Sequence, residues 1–234
     1  MKPLLTRTAP FPDRSVTVKR SFAIRVISLA FVMTAVGASC GIADDGYTYV
    51  NNQQEKFFFK LPDTWNKHKA GKADPGVLKT AWTLYFDSTK TSKKANKLSY
   101  EASAPSVPSG IAQVFNLTPA GTDIMNEITL RSMVFGPLGS ESDPVKLAQD
   151  DPRVEILRYD RFMSKKGQWG STIVINVNLG EEAGKMKWVT MAQKAIYDPK
   201  RQAIYRVGLK CTQACYAKNK KTLKQILDSL QVQR

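Results

Sequence analysis

The sequence predicts an α+β domain, an antiparallel β-sheet flanked by helices, behind an N-terminal export leader. Three observations carry the fold class: the alternation of Ile173, Ile175, Val177 and Leu179; the turn segment Asp198-Pro199-Lys200-Arg201 between two apolar runs; and the closing stripe Leu223, Ile226, Leu227 and Leu230. Strict alternation buries one face of a strand. Proline presets φ at the second position of a turn, so residues 188–197 and 203–209 are expected to form a hairpin. Apolar residues at helical spacing give residues 216–230 one buried stripe. Strands followed by a terminal packing helix imply a layered sheet with a helical cover.

From Tyr47 the chain reads as short strands with turn punctuation. Residues 56–61 (KFFFKL) are an aromatic run ended by Pro62-Asp63, with Trp65 just beyond. Residues 81–87 (AWTLYFD) predict a second strand, residues 88–97 an exposed Lys- and Ser/Thr-rich loop, and residues 98–104 a third strand closed by Pro105 and Pro108. Leu117, Ile124, Ile128, Leu130, Met133 and Val134 approximate a helical repeat across residues 118–135, which Gly136 and Pro137 stop. A polar, turn-rich passage then runs to Pro152. Residues 154–162 and 169–179 follow as strands around Lys165-Lys166-Gly167.

Size and charge bound the function classes. A chain of 234 residues, 42% hydrophobic and 24% charged, has the composition of one globular domain. Its 35 Lys plus Arg against 20 Asp plus Glu leave a surplus of +15, which points to anionic partners or to a solvated surface. Beyond the leader the surplus is spread from Lys56 to Arg234 without a dense block.

The leader itself is legible. Basic residues reach Arg25, and residues 26–39 (VISLAFVMTAVGAS) then carry no charge. As a helix that stretch is about 21 Å long, short of a hydrocarbon core of about 30 Å, which suits a signal segment better than a permanent span. Gly37, Ala38 and Ser39 precede Cys40, the first cysteine of the chain, in the manner of a lipobox. The expected division is a lipoprotein signal peptide at 1–39, a lipidated Cys40 with a short tether at 40–46, and a single extracytoplasmic domain at 47–234. The expected location is the outer face of the cytoplasmic membrane. Lys19-Arg20-Ser21-Phe22 resembles a twin-arginine export motif with lysine in first place, so the export route stays open between that system and the general one.

Residues 56–65 (KFFFKLPDTW), the strand 82–87, and the closing run Tyr197-Asp198-Pro199, Ile204-Tyr205-Arg206, Cys211-Thr-Gln-Ala-Cys215-Tyr216, Asn219 and Ile226-Leu227-Asp228-Ser229 together resemble an actinobacterial family of uncharacterised lipoproteins. The aromatic strand into Leu-Pro-x-x-Trp and the final strand, helix and Ser-x-x-Val ending are similar to the PsbP-like α/β/α sandwich. The resemblance spans residues 47–232 and implies that fold. It brings no activity to any residue here.

Outside the cytoplasm two nearby thiols oxidise together, so Cys211 and Cys215 are expected to form a disulfide. A metal site is not expected, because with His68 as the single histidine a Cys₂His₂ set cannot be assembled. His68 itself stands in a polar, lysine-flanked turn. No nucleophile elbow, phosphate loop or dinucleotide glycine motif occurs, and the acid pairs Asp150-Asp151 and Glu181-Glu182 fall in turns. No catalytic residue and no cofactor is therefore expected. Trp65, Trp82, Trp169 and Trp188 could line a cleft, although aromatics on strands are more often core. The expected partners are the bilayer, through acylated Cys40, and an envelope protein, a small ligand or an anionic wall polymer; an extracytoplasmic domain does not meet nucleic acid. A hydrolase of wall material is the alternative to a binding protein.

Overall fold

The computed structural model describes residues 46–69, 78–89, 104–135, 143–182 and 185–233. Two antiparallel sheets are found among them. The smaller has β2 (Phe57–Pro62) between β1 (Tyr47–Asn52) and β10 (Gln231–Val232). The larger contains β3 (Asn66–Lys69), β4 (Leu78–Asp87), β5 (Ser109–Leu117), β6 (Val154–Met163), β7 (Trp169–Glu182), β8 (Lys185–Asp198) and β9 (Ala203–Thr212). Its order is β3-β4-β5-β9-β8-β7-β6, so β9 returns to the centre and β6 and β3 are the edges.

Helices flank the large sheet on both faces, as the α+β prediction requires. One face carries the final helix α4 (Gln213–Asp228), with the small sheet beside it. The other carries α1 (Pro119–Asp123), α2 (Glu127–Ser132) with a 3₁₀ turn at Met133–Phe135, and α3 (Pro144–Asp150). The first core is aromatic. The Phe57 ring stacks on Tyr205 at 5.9 Å and meets Trp82 edge-on at 5.5 Å, while Phe59 and Trp65 both pack on Phe86. Leu223, Ile226, Leu227 and Leu230 close this core from α4, which is the stripe read from their spacing. The second core sets Leu130 and Met133 on Phe115, Leu117, Tyr197 and Ile204, with Val134 on Ile173 and Ile175.

The hairpin forms at the expected place. Asp198 Oδ1 accepts hydrogen bonds from the amides of Lys200 (3.0 Å) and Arg201 (3.3 Å), which is how an aspartate side chain fixes a turn. Helix α4 begins earlier than its apolar stripe, because the Thr212 hydroxyl accepts from the Cys215 amide and so caps the first turn.

Other local expectations are corrected. Most of the strand placed at 98–104 lies outside the described residues, and the strand beyond the prolines is β5. It is buried on both faces, so its sequence SGIAQVFNL lacks the alternation that marks a half-exposed strand. Gly110 is required there, since a methyl on it would lie 2.2 Å from the Phe86 ring. Residues 118–135 do not make one helix. Asn126 is extended (φ −143°, ψ −179°) and its side chain accepts from the Thr129 amide, so the chain stops and restarts. Ile124 and Ile128 are consequently about half exposed, at 48% and 49%, and not on a buried stripe. The polar passage before Pro152 contains α3, where Asp143 caps and Pro144 opens the first turn. His68 sits in β3 opposite Tyr85, not in a turn, and its Nε2 is shielded from solvent.

Candidate functional site

Two grooves of similar size lie on opposite sides of the large sheet. The first, of about 600 Å³, is lined by Asn126, Glu127, Arg161, Phe162, Met163 and Trp169 at the end of edge strand β6. Met163 is 78% exposed there, and Trp169 packs edge-on against Tyr197 at 5.2 Å.

Beside this groove the charges are consumed by one another. Arg131 on α2 donates from Nε to Asp143 Oδ1 (2.6 Å), from Nη2 to Asp143 Oδ2, and from Nη1 to Glu127 Oε1 (3.0 Å) and the Tyr159 hydroxyl (3.2 Å). The Tyr159 hydroxyl donates to Glu127 Oε1, and Arg161 donates to Glu127 Oε2 at 3.0 Å. This network ties α2, the cap of α3 and β6 together. The Tyr159 hydrogen bond, with Arg161 and Arg131, holds the Glu127 carboxyl below its usual range despite some burial. Burial would raise Asp143, but its bonds from Arg131 and the Val145 amide bring it below the ordinary value. A general acid needs the opposite shift. Glu127 and Asp143 are therefore ionised clamps at neutral pH, suited to holding helices and not to donating protons.

The second groove, of about 560 Å³, lies where the small sheet meets α4 and is lined by Tyr49, Lys60, Lys221, Lys224, Gln225, Asp228, Ser229 and Gln231. Lys218, Lys220, Lys221 and Lys224 are exposed on α4, and Asp228 is the one carboxylate in that helix. Asp228 is already engaged. Lys224 donates to it from the preceding turn, Arg158 approaches to 3.6 Å, and together they lower its pKa against the effect of burial. Lys194 reaches up from β8 to the last carbonyl of α4, Asp228 O at 3.4 Å, and to Leu230 O just beyond the helix at 3.3 Å, where a cation complements the helix dipole. Burial first, and Arg158 second, pull the Lys194 pKa down. Across the groove Lys60 Nζ lies 5.4 Å from the centroid of the Tyr49 ring.

The residues singled out from the sequence divide as follows. Cys40, the leader at 1–39 and the basic run 90–97 lie outside the described residues. The sulfurs of Cys211 and Cys215 are at disulfide distance, with Cα atoms 5.9 Å apart at the start of α4. Trp65 and Trp82 belong to the aromatic core, and Trp169 lines the first groove. Asp151 is taken by Arg153 at 2.7 Å. Two motif elements of the closing run have structural roles: Asn219 donates to the Cys215 carbonyl at 2.8 Å, and the Ser229 hydroxyl accepts from the Lys60 amide at 2.8 Å. The lysine face of α4 was missed. Its signal was available, because four lysines within residues 218–224 of a helix with one buried stripe must share the outer arc.

An α+β sandwich of this kind, one large antiparallel sheet between helical layers, is the class of domain that the geometry defines. Among solved structures the chain is similar to the cyanobacterial PsbP protein (CyanoP) of Synechocystis sp. PCC 6803, with a TM-score of 0.47 and 11% identity over 85% of this chain and 99% of that one. It is also similar to the Ran-binding protein Mog1p of Saccharomyces cerevisiae, with a TM-score of 0.42 and 11% identity over 80% of this chain and 95% of that one. No protein-family model matches the chain, and no curated protein matches it.

Proposed function

We propose that this protein is a lipoprotein held on the outer face of the cytoplasmic membrane through acylated Cys40, and that its domain works by binding an anionic surface, without catalysis. The observation that carries the binding role is the lysine face of α4, with Lys218, Lys220, Lys221 and Lys224 exposed around a single, already engaged carboxylate. The anchor is supported by the uncharged segment 26–39 running into Gly37-Ala38-Ser39-Cys40, and by the resemblance to actinobacterial lipoproteins. Two acyl chains on one cysteine make membrane attachment durable, since each buried CH₂ contributes about 0.8 kcal/mol. Among the described residues no helix is long and apolar enough to cross a membrane.

Replacing Cys40 with Ser tests the anchor. The expected result is release from the membrane fraction, or accumulation of uncleaved precursor. Normal processing with full membrane retention would overturn it.

A further inference from the structure

We infer that the α4 face and its groove dock on the anionic phospholipid headgroups of the same bilayer that carries the anchor. This deepens the proposed binding role by naming the surface.

Three observations converge on lipid. The first is charge: four lysines of α4 point outward beside Lys60, and the acids nearby are already engaged, Asp228 by Lys224 and Arg158 and Asp160 by Arg158. No carboxylate among the described residues pairs with Lys218, Lys220 or Lys221. Such a cluster is drawn to anionic headgroups within a Debye length of about 8 Å at physiological salt. The second is the pairing of Tyr49, 57% exposed, with Lys60 across the groove. An aromatic ring with a polar tip and a long-stemmed cation are side chains that settle at a headgroup boundary. The third is chain length. Strand β1 starts at Tyr47 and supplies Tyr49 to the groove, so the seven residue-to-residue steps from Cys40 to Tyr47 limit the strand's distance from an acylated cysteine to about 25 Å. Headgroups lie within that radius whatever the path of the tether. A wall polymer need not.

The opposite side of the sheet does not compete for this role. Arg131 and Arg161 there are bound to Asp143 and Glu127, which cancels their field at short range.

Vesicle sedimentation tests the docking. The full chain carrying Cys40→Ser is mixed with vesicles of phosphatidylcholine alone, or with about 30 mol% phosphatidylglycerol, at about 0.1 M salt. The leader's own cations are common to every protein compared, so the variants read the domain. Changing Lys218, Lys221 and Lys224 to Gln is expected to weaken binding to the phosphatidylglycerol vesicles by about tenfold to a hundredfold, leaving binding to phosphatidylcholine unchanged. The control changes Lys146, Lys165 and Lys200, all exposed, to Gln; its expected loss is below about twofold. Equal losses in both triples, or none in the first, would overturn the docking surface. So would a first triple that loses binding to soluble polyphosphate but not to vesicles, which would point to a wall polymer. Unchanged circular dichroism and melting show that the variants fold. Because no acylated cysteine is present, these results stand apart from those of the Cys40 test in cells: failure here leaves the anchor intact, and failure there leaves the lysine face to be judged by the vesicles alone.

Discussion

The two sides of the large sheet use cations in opposite ways. On the side of α1, α2 and α3, Arg131 and Arg161 converge on Glu127 and Asp143, and the helices are short enough to need such clamps. On the side of α4, an aromatic and aliphatic core holds the cover and the lysines are left outside. Arginine's planar fork suits bidentate carboxylate binding, whereas lysine is a flexible, well-hydrated point charge. Where the apolar contact is extensive, Lys218, Lys220 and Lys221 are left for partners while Lys224 and Arg158 pair with Asp228; where it is thin, charge is spent on the fold.

The contrast can be broken from either side. Phe57→Ala, which removes the ring between Tyr205 and Trp82, is expected to cost about 3 to 5 kcal/mol in a denaturant titration. Arg131→Met should cost about 2 to 3 kcal/mol near neutral pH, because two part-buried carboxylates lose their shared partner. That deficit depends on pH with a definite sign. Both carboxyls lie below their ordinary values of 4.5 and 3.8 in the folded protein, so their contribution is complete above about pH 5 and is lost as pH falls through the depressed folded values. The gap between parent and variant should therefore narrow in acid. A deficit of the same size at every pH would mean that Arg131 acts by packing alone.

Cys215→Ser should lower stability by about 2 kcal/mol if the pair is oxidised, the loop-closure value for so short a ring. Reductant should then bring the parent to the same midpoint. An identical midpoint with and without reductant would reject the linkage. Smallest of all, changing Lys218, Lys221 and Lys224 to Gln should move stability by less than about 1 kcal/mol, as expected of exposed side chains whose one ion pair, Lys224 with Asp228, lies at the surface. A large loss would assign those lysines to the fold.

What could be read in advance depended on how local the cause was. The Asp198-Pro199 turn and the α4 stripe were legible because each is written in adjacent residues. Strand β5 was hidden because burial on both faces erases alternation, and the break at Asn126 because one capping side chain outweighed an approximate helical repeat. The Arg131 clamp joins the i,i+4 pair Glu127 and Arg131 to residues 143, 159 and 161, which no spacing rule connects to that helix.

Linear order alone determines the α+β class, the Asp198-Pro199 turn and the apolar stripe of α4, since periodicity and local composition need only near neighbours in the chain. Tertiary structure decides that β9 returns to pair with β5, that Lys60 and Tyr49 face α4 across a groove, and that the arginines of the other side are neutralised. These depend on closing long loops, and the burial that repays such closure exists only once the whole sheet is assembled.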